Sequence, residues 1–537
     1  MNRCPLSKTE YGIYIEQMTA RNTAYNNPVT IKLPENVDLN RLKAAIAKVV
    51  AAHPVLRTGF ALDENGEAYK YLREDEKAPE IPTLWTERFD VRDYVKVFDL
   101  ERDLLYRFAI IVSPAEKLLF SDIHHIIYDG SSFGILTRQI DAAYNGLPVE
   151  PEGFTANDYA LEERERLASP AYTEARDYYL KLFDGVETAS ELYEDANPRP
   201  HAAKVLDYEL KALSPQALKD FALQQGVKLS TLFNAAFAIL LSKHTNSKSV
   251  VYSTVHHGRD QRLKDTVGMF VKTYPVLAEL NDGKSPAELL RELDRQIDLN
   301  RKYGLYSFAD FCAETELRPK VLFAYQGDML PRTQFCGGTV TPVYYTAQDA
   351  KEEFEYTVWR EGPTLRLRAV YPMDRYHDEV VQAMHESYEK ILLDLTRAKT
   401  LSDVDLLAPA QLERLDAANR NDKALDCGDI VTLFRQRAAP PQLWSAGSAQ
   451  RRPGGLPGRK GRGQGGRGVH SDPSQRLYGP HPPGCAEMRR GLSAPGSQLS
   501  PGTPGIHDPG RGGEIPHCGS EPHGPGSRLF RPGALYR

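Results

Sequence analysis

Strand-length apolar runs alternate with amphipathic helices along two stretches of the chain, and this alternation restricts the possible fold more than any other feature. In the first stretch, Asp38 stands as a helix cap before apolar residues at helical spacing over 37–51, and apolar runs at 105–112 and 118–123 predict a buried hairpin. The second stretch begins at Ser214, a capping serine followed by a proline at the first helical turn. The order of elements predicts an α/β fold whose two halves are built alike.

Further elements are predicted on both sides of these two starting points. Residues 56–62 and 68–72 flank Asn65-Gly66, a dipeptide favoured where a hairpin needs positive φ, and so predict a second hairpin. Apolar periodicity in the second half predicts strands at 250–255, 321–325, 339–345 and 365–370, and a helix at 378–395.

Composition excludes several classes of protein. The 537 residues are 41% hydrophobic and 26% charged, which is typical of a globular protein of about two to four domains. The N-terminus lacks the apolar run of a signal peptide and no segment approaches the length of a membrane span, so a cytoplasmic protein without a membrane partner is expected. The 6 cysteines show no Cys-x-x-Cys spacing, which argues against a zinc site or a disulfide framework.

Charge is distributed unevenly along the chain. From residue 438 onward there are 13 Lys or Arg and 5 Asp or Glu, a local net charge of +8. Because the net charge of the whole chain is −5, residues 1–437 carry −13. An acidic main part argues against nucleic acid as a partner. The part beyond residue 438 is dominated by Gly, Pro, Arg and Ser without apolar periodicity, a composition that predicts disorder.

The strongest chemical signal follows the predicted strand 118–123, where His124 and His125 precede Asp129 and Gly130 at the start of a helix. Amide formation from a thioester needs a nucleophilic amine and a stabilised oxyanion. A histidine at a strand end suits the first need, and the glycine allows its backbone N–H to approach the oxyanion. The carboxylate either orients the ring of His125 or anchors the loop to an arginine. Taken alone, paired histidines are more often structural than catalytic.

A second pair, His256 and His257, ends another predicted strand but lacks an aspartate four residues after its second member, where Gln261 stands. We therefore favour a structural or tunnel-lining role for this pair over catalysis. A metal site is not predicted, because no third ligand follows either pair at a recognisable spacing.

The motif and five ordered segments resemble the condensation-domain family of nonribosomal peptide synthetases, which is related in fold to chloramphenicol acetyltransferase. The resemblance spans about residues 5–410. Besides His124-His125-Ile126-Ile127-Tyr128-Asp129-Gly130, it rests on Leu6-Ser7-Lys8-Thr9-Glu10, His53-Pro54-Val55-Leu56-Arg57-Thr58-Gly59-Phe60, Asp158-Tyr159-Ala160, Val267-Gly268-Met269-Phe270-Val271-Lys272-Thr273-Tyr274-Pro275 and Val321-Leu322-Phe323-Ala324-Tyr325-Gln326.

The resemblance implies two acetyltransferase-like lobes in a V, over 1–180 and 181–400, with His125 in a tunnel between them. It implies an acyltransferase that joins a donor acyl or peptidyl thioester to an acceptor aminoacyl thioester, both held on phosphopantetheine arms of peptidyl carrier proteins, with no tightly bound cofactor. His125 is then the base or the group that positions the amine. The other site residues implied are His124 and Asp129, which hold the loop, Gly130, which offers its amide, and the weaker tunnel residues Ser132, Arg57, Gly268, Phe270, Tyr325 and Gln326.

Three positions depart from the family pattern. Glu10 stands where glutamine is usual, Lys272 where asparagine is usual, and Leu277 where an arginine often ends the segment. The last change requires that any arginine partner of Asp129 come from elsewhere, and Arg259 is our candidate.

Residues 401–437 resemble the linker between a condensation and an adenylation domain, which would be a further partner in an intact synthetase. Codons for residues 483–512 can be chosen so that the reading frame one base later encodes an amino-acid sequence similar to the start of an adenylation domain. We interpret 438–537 as the product of a frameshift near residues 437–443, against the alternative of a natural basic linker.

Two other functions stay open. The first is a starter domain that N-acylates with a fatty-acyl donor, which a chain beginning directly at this domain would suit. The second is a catalytically idle module that only docks carrier proteins. The related epimerisation domain is disfavoured because it should lack the linker at 401–437.

Overall fold

A computed structural model describes residues 3–74, 79–192, 202–212, 214–327, 333–346 and 348–420. The second half of the predicted linker and the whole of 438–537, including the predicted disorder and frameshift, lie outside the described residues. The described strands are β1 Arg3–Pro5, β2 Asn26–Lys32, β3 Thr58–Leu62, β4 Ala68–Leu72, β5 Thr83–Trp85, β6 Tyr106–Val112, β7 Lys117–His124, β8 Ala203–Leu210, β9 Ser249–His256, β10 Lys272–Glu279, β11 Val321–Tyr325, β12 Thr333–Phe335, β13 Gly338–Val340, β14 Val343–Tyr344, β15 Phe354–Glu361 and β16 Thr364–Pro372. The described α-helices are α1 Lys8–Ala20, α2 Leu39–Ala52, α3 Gly130–Tyr144, α4 Ala156–Leu167, α5 Pro170–Leu182, α6 Pro215–Gln225, α7 Leu229–Thr245, α8 Pro286–Lys302, α9 Phe308–Thr315, α10 Asp378–Leu395 and α11 Pro409–Asn419.

The first large sheet has the strand order β14-β2-β7-β6-β5. The pairs β14-β2, β2-β7 and β7-β6 are antiparallel, and β6-β5 is parallel. Helices α2 and α3 pack together beside it in one apolar core. The predicted start of α2 is confirmed, since the Asp38 side chain accepts hydrogen bonds from the N–H groups of Asn40 and Arg41. Buried Leu42, Ile46 and Val49 each contribute on the order of 1.5–3 kcal/mol by leaving water.

The second large sheet has the order β10-β9-β11-β15-β16-β8, in which β11 runs parallel to both of its neighbours. Helix α7 is buried on nearly its whole surface between residues 231 and 241, which explains why its sequence is apolar almost all round. Helix α10 packs on α7 and occupies the predicted range exactly as its apolar period indicated. The predicted α/β fold is therefore confirmed.

Chain from the second half reaches back to the first sheet. Strand β14 pairs with β2 through Val343 and Thr30, and the Asp349 carboxylate accepts hydrogen bonds from the Thr23 N–H and Oγ1 at 2.9 and 2.8 Å. The division at residue 180 and the V-shaped arrangement of the lobes stay predictions.

The predicted strand at 339–345 is wrong in its extent. Two short strands occupy this range, and they have different partners, because β13 pairs with β12 whereas β14 pairs with β2. Pro342 separates them, and a proline lacks the N–H that a continuous ladder requires. Strand β15 was not predicted, and its residues do not alternate regularly between buried and exposed, since 356–359 are all buried.

No helix within the described ranges combines the length and the apolar character that a membrane crossing demands.

Candidate active site

The paired histidines lie where β7 ends and the chain turns into α3. His124 is the last residue of the strand, a short 3-10 turn covers His125–Ile127, and Asp129 caps the helix that begins at Gly130. The His125 N–H donates to the carbonyl of Tyr25 at 2.8 Å, which holds the turn beside the start of β2. The strand-loop-helix context predicted for the motif is therefore present.

His124 is fully buried and serves the turn. Its Nδ1 accepts a hydrogen bond from the Ile126 N–H at 3.2 Å, and its ring packs against those of Tyr25 and Phe98. Burial lowers the pKa of His124 to about 3, with smaller contributions from His125 and Arg107. A neutral ring that accepts a backbone hydrogen bond supports the structural role proposed for this residue.

His125 differs from its neighbour because its side chain is only partly buried. Desolvation, followed by the nearby ammonium of Lys351, lowers the pKa of His125 to about 4, whereas the Asp129 carboxylate acts in the opposite direction. The ring is therefore neutral at pH 7 and can accept a proton. The rings of His125 and Tyr25 meet edge-on, with their centroids 6.4 Å apart.

The Asp129 carboxylate anchors the loop to an arginine, which decides between the two roles left open by the sequence. Its Oδ1 accepts from the Ser132 N–H at 2.8 Å, from Ser132 Oγ at 2.9 Å and from Arg259 Nη2 at 2.8 Å. Its Oδ2 accepts from the Phe270 N–H at 3.3 Å. The prediction of Arg259 as partner of Asp129 is thus confirmed, and both side chains of the pair are buried, at 7% and 1% exposure.

The same arginine ties down the segment that follows β9. Arg259 Nη1 donates to the carbonyls of Leu263 and Thr266, each at 2.6 Å, and its guanidinium lies over the ring of Phe270 at 4.7 Å. A planar fork with several donors suits this bridging better than an ammonium would. The active-site loop and the 259–270 segment are therefore held as one unit.

Gly130 occupies the first helical position of α3, where backbone N–H groups lack an intrahelical partner. Its surroundings are open, since apart from its chain neighbours and the backbone of its own helix no heavy atom lies within 4 Å of the place where a Cβ would stand. The helix N-terminus also favours negative charge. This arrangement supports the proposal that its amide faces a developing oxyanion.

The structure brings together half of the predicted tunnel residues. Ser132 Oγ donates to the Gly268 carbonyl at 3.0 Å and accepts from the Gly268 N–H at 3.1 Å, beside Phe270. Arg57 ends a 3-10 turn before β3, and its Nη2 donates to the Ala51 carbonyl at 3.4 Å. Tyr325 ends β11 on the second sheet, where it packs on Phe233, and Gln326 follows it. A tunnel role stays a prediction for all six residues.

The second histidine pair does not reproduce this geometry. His256 ends β9, and its ring is tilted against that of His257 with the centroids 4.1 Å apart. Their Nδ1 atoms accept from the N–H groups of Gly258 and Arg259. These contacts shape the backbone that leads to Arg259, which agrees with the structural role favoured from the sequence.

One charged group near His125, Lys351, was not identified from the sequence. Lys351 Nζ lies 5.2 Å from the centroid of the Tyr25 ring, which itself contacts His125. Burial raises the pKa of Glu352, its neighbour, to about 7. Both come from the segment between β14 and β15, more than 200 residues from the motif, and nothing in their spacing marks them as site residues.

The arrangement of the histidine loop at the strand end and of the Asp129–Arg259 pair can now be set beside the family to which the sequence matches. The model of the family described as condensation domain matches residues 2–415. This chain belongs to the condensation-domain family. The resemblance inferred from the motif and the five segments is thereby confirmed for the described part of the chain.

Curated relatives are very long synthetases of which the chain matches a small part. It is 24% identical over 456 residues to bacitracin synthase 3 of Bacillus licheniformis, covering 81% of this chain and 7% of that protein. It is 27% identical over 299 residues to surfactin synthase subunit 1 of Bacillus subtilis (strain 168), covering 54% of this chain and 8% of that protein. The chain therefore spans less than a tenth of the length of either synthetase.

Solved structures show the same fold. The first condensation domain of the calcium-dependent antibiotic synthetase, in complex with a substrate analogue, superposes with a TM-score of 0.65 at 19% identity, covering 76% of this chain and 99% of that one. A starter condensation domain of rhizomide synthetase, in complex with C8-CoA, gives a TM-score of 0.65 at 18% identity, covering 76% and 98%. Identities this low establish the fold alone.

Removing one hydroxyl should test the network around Asp129. Ser132→Ala is expected to lower the free energy of unfolding by about 1–3 kcal/mol, because it leaves buried polar groups of Gly268 and Arg259 with fewer partners. The adjacent and exposed Ser131→Ala is expected to change it by less than about 0.5 kcal/mol. Urea denaturation of both variants measures the difference, and equal values would contradict the network.

Proposed function

We propose that this domain is an acyltransferase that joins a donor acyl or peptidyl thioester to the amino group of an acceptor aminoacyl thioester. Each substrate would be held on the phosphopantetheine arm of a peptidyl carrier protein. The observation that carries the proposal is a neutral, partly accessible His125, fixed beside the open N-terminus of α3 by the buried Asp129–Arg259 pair.

The reaction forms one C–N bond and breaks one C–S bond. The acceptor amine attacks the thioester carbonyl, and the neutral ring of His125 accepts the proton that the amine must lose. The oxyanion of the tetrahedral intermediate is stabilised by the Gly130 N–H at the helix N-terminus. The donor pantetheine thiolate leaves and is protonated, so that the product remains on the acceptor carrier.

The function is tested with the wild-type chain and two separately loaded carrier proteins. We expect mass spectrometry of the acceptor carrier to show a mass gain equal to the donor acyl group, only when the chain and both loaded carriers are present. An aminoacyl donor and a fatty-acyl donor are supplied in parallel, which separates peptide condensation from N-acylation by a starter domain. If neither donor is transferred while both carriers bind the chain, the acyltransferase proposal fails and the docking module takes its place.

A further inference from the structure

The segment that leads from β14 to β15 crosses from the second half of the chain to the first sheet and brings a lysine to the histidine loop. Strand β14 pairs with β2, and the Tyr345 N–H then donates to the carbonyl of Pro28 at 3.0 Å. Further along, the Asp349 carboxylate accepts from the Thr23 N–H and Oγ1. These attachments follow one another toward the start of β2 and beyond it, and so fix the position of Lys351, two residues later.

Lys351 approaches His125 across the ring of Tyr25. Its Nζ lies 5.2 Å from the centroid of that ring, where an aromatic face attracts a cation. The Tyr25 ring meets the His125 ring edge-on, and the Tyr25 carbonyl accepts the His125 N–H. The hydroxyl of Tyr25 donates to the carboxylate of Glu16, which holds the ring from its other end. The ammonium therefore lies close enough to the imidazole for its charge to act there.

The charged and titratable groups around the imidazole differ in how far they are neutralised. They are His124, Tyr128 and Asp129 of the loop, Glu16 of α1, Tyr25, Lys351 and Glu352 of the crossing segment, and His257 and Arg259 after β9. Asp129 and Arg259 form a buried ion pair. His124, His257 and Tyr128 are uncharged at pH 7, because burial lowers the pKa of both rings and raises the pKa of the phenol.

Lys351 has only a partial counter-charge. Among the described residues, the carboxylate within ion-pair distance of its Nζ is that of Glu352, at 3.9 Å, and 31% of the lysine side chain is exposed. Desolvation raises the pKa of Glu352 to about 7, so that this carboxylate is at most about half ionised at pH 7. At and below pH 7 the His125 ring therefore faces a cation that is incompletely neutralised.

We propose that the charge of Lys351 keeps the amino group of the acceptor substrate unprotonated beside His125, an inference that rests on the proposed condensation reaction. An ammonium group disfavours a second positive charge close to it, and so lowers the pKa of a neighbouring amine. An α-amino group has an ordinary pKa of about 7.7–8.0 and is mostly protonated at pH 7, a form that cannot attack a thioester. A His125 ring whose pKa is about 4 cannot remove that proton efficiently, since the two groups differ roughly 10⁴-fold in proton affinity. The amine must therefore reach the thioester already unprotonated, and His125 accepts the proton that it loses on attack.

Single-turnover transfer between two loaded carriers, measured from about pH 6 to pH 8.5, tests the role of this charge. We expect Lys351→Met to reach its half-maximal rate about 0.5–1 pH unit above the wild type, which is about a 3- to 10-fold loss at pH 6 and little loss at pH 8.5. Lys351→Arg keeps the charge and should retain the wild-type midpoint. Glu352→Gln removes the partial counter-charge and should move the midpoint downward. The matched control is Lys48→Met, an exposed lysine of α2, which should leave rate and midpoint unchanged.

The outcomes separate this inference from the reaction itself. A Lys351→Met profile that coincides with that of an active wild type, or that is reduced equally at every pH, overturns the role of the charge while the condensation reaction stands. A midpoint displaced as far in Lys351→Arg as in Lys351→Met would show that the shape of the lysine matters and its charge does not. An upward displacement in Glu352→Gln would contradict the proposed balance of charges. No transfer by the wild type at any pH refutes the proposed function, and this inference falls with it.

Discussion

Replacing His125 with alanine is expected to reduce the rate of product formation by at least about 100-fold, because proton transfer by a positioned side chain contributes roughly that much or more to catalysis. The ring is neutral at pH 7, since burial and Lys351 lower its pKa to about 4, and so it is ready to accept the proton of the acceptor amine. Single-turnover transfer between two loaded carriers, followed by mass spectrometry, measures the effect.

The control for this variant is His377→Ala, which removes an exposed histidine at the start of α10 that caps no backbone group with its side chain. We expect it to leave the rate within about 2-fold of wild type, as is usual for surface substitutions away from a site. Carrier binding by His125→Ala is measured in parallel, so that lost docking is not read as lost chemistry. A His125→Ala domain that binds carriers and retains the wild-type rate would refute the catalytic assignment.

The loop that contains the paired histidines was predictable because the residues that define it are close together in the sequence. The paired histidines stand at the end of β7, the capping Asp129 follows within the same short loop, and α3 begins at the next residue. Arg259 could be predicted as the partner of Asp129 only by exclusion, because Leu277 stands where an arginine is frequent in the family. Lys351 was not found, because its approach to Tyr25 and so to His125 depends on how a segment of the second half crosses to the first sheet.

The same reasoning explains which elements were predicted. Helices α2 and α10 have clear apolar faces and capping or boundary residues, so the period alone located them. The prediction of one strand over 339–345 was wrong because the high β-propensity of this run masked the break at Pro342. The two parts of the run pair in different sheets. Pairing partners are a property of the tertiary fold and leave no mark in the local sequence.

Glu10, one of the departures from the family pattern, has a structural explanation. Its carboxylate lies 2.7 and 2.8 Å from Nζ of Lys70, a residue of β4 whose side chain is fully buried. Glu10 Oε2 also accepts from the Ser7 N–H at 2.7 Å and so completes the capping box of α1. A lysine in the middle of a short strand is expected to face solvent, and the sequence therefore gave no sign of this ion pair.

Replacing Lys70 with methionine is expected to lower the free energy of unfolding by about 3–5 kcal/mol, because it leaves the buried carboxylate of Glu10 without its counter-ion. The double variant Glu10→Gln with Lys70→Met should recover most of this loss, since glutamine keeps the hydrogen bond to Ser7 and carries no charge. Lys248→Met, which breaks an exposed pair with Asp282, should cost no more than about 1 kcal/mol. Urea denaturation of the four proteins decides the matter: a Lys70→Met loss as small as that of Lys248→Met, or a double variant no more stable than the single one, would show that the pair does not require both charges.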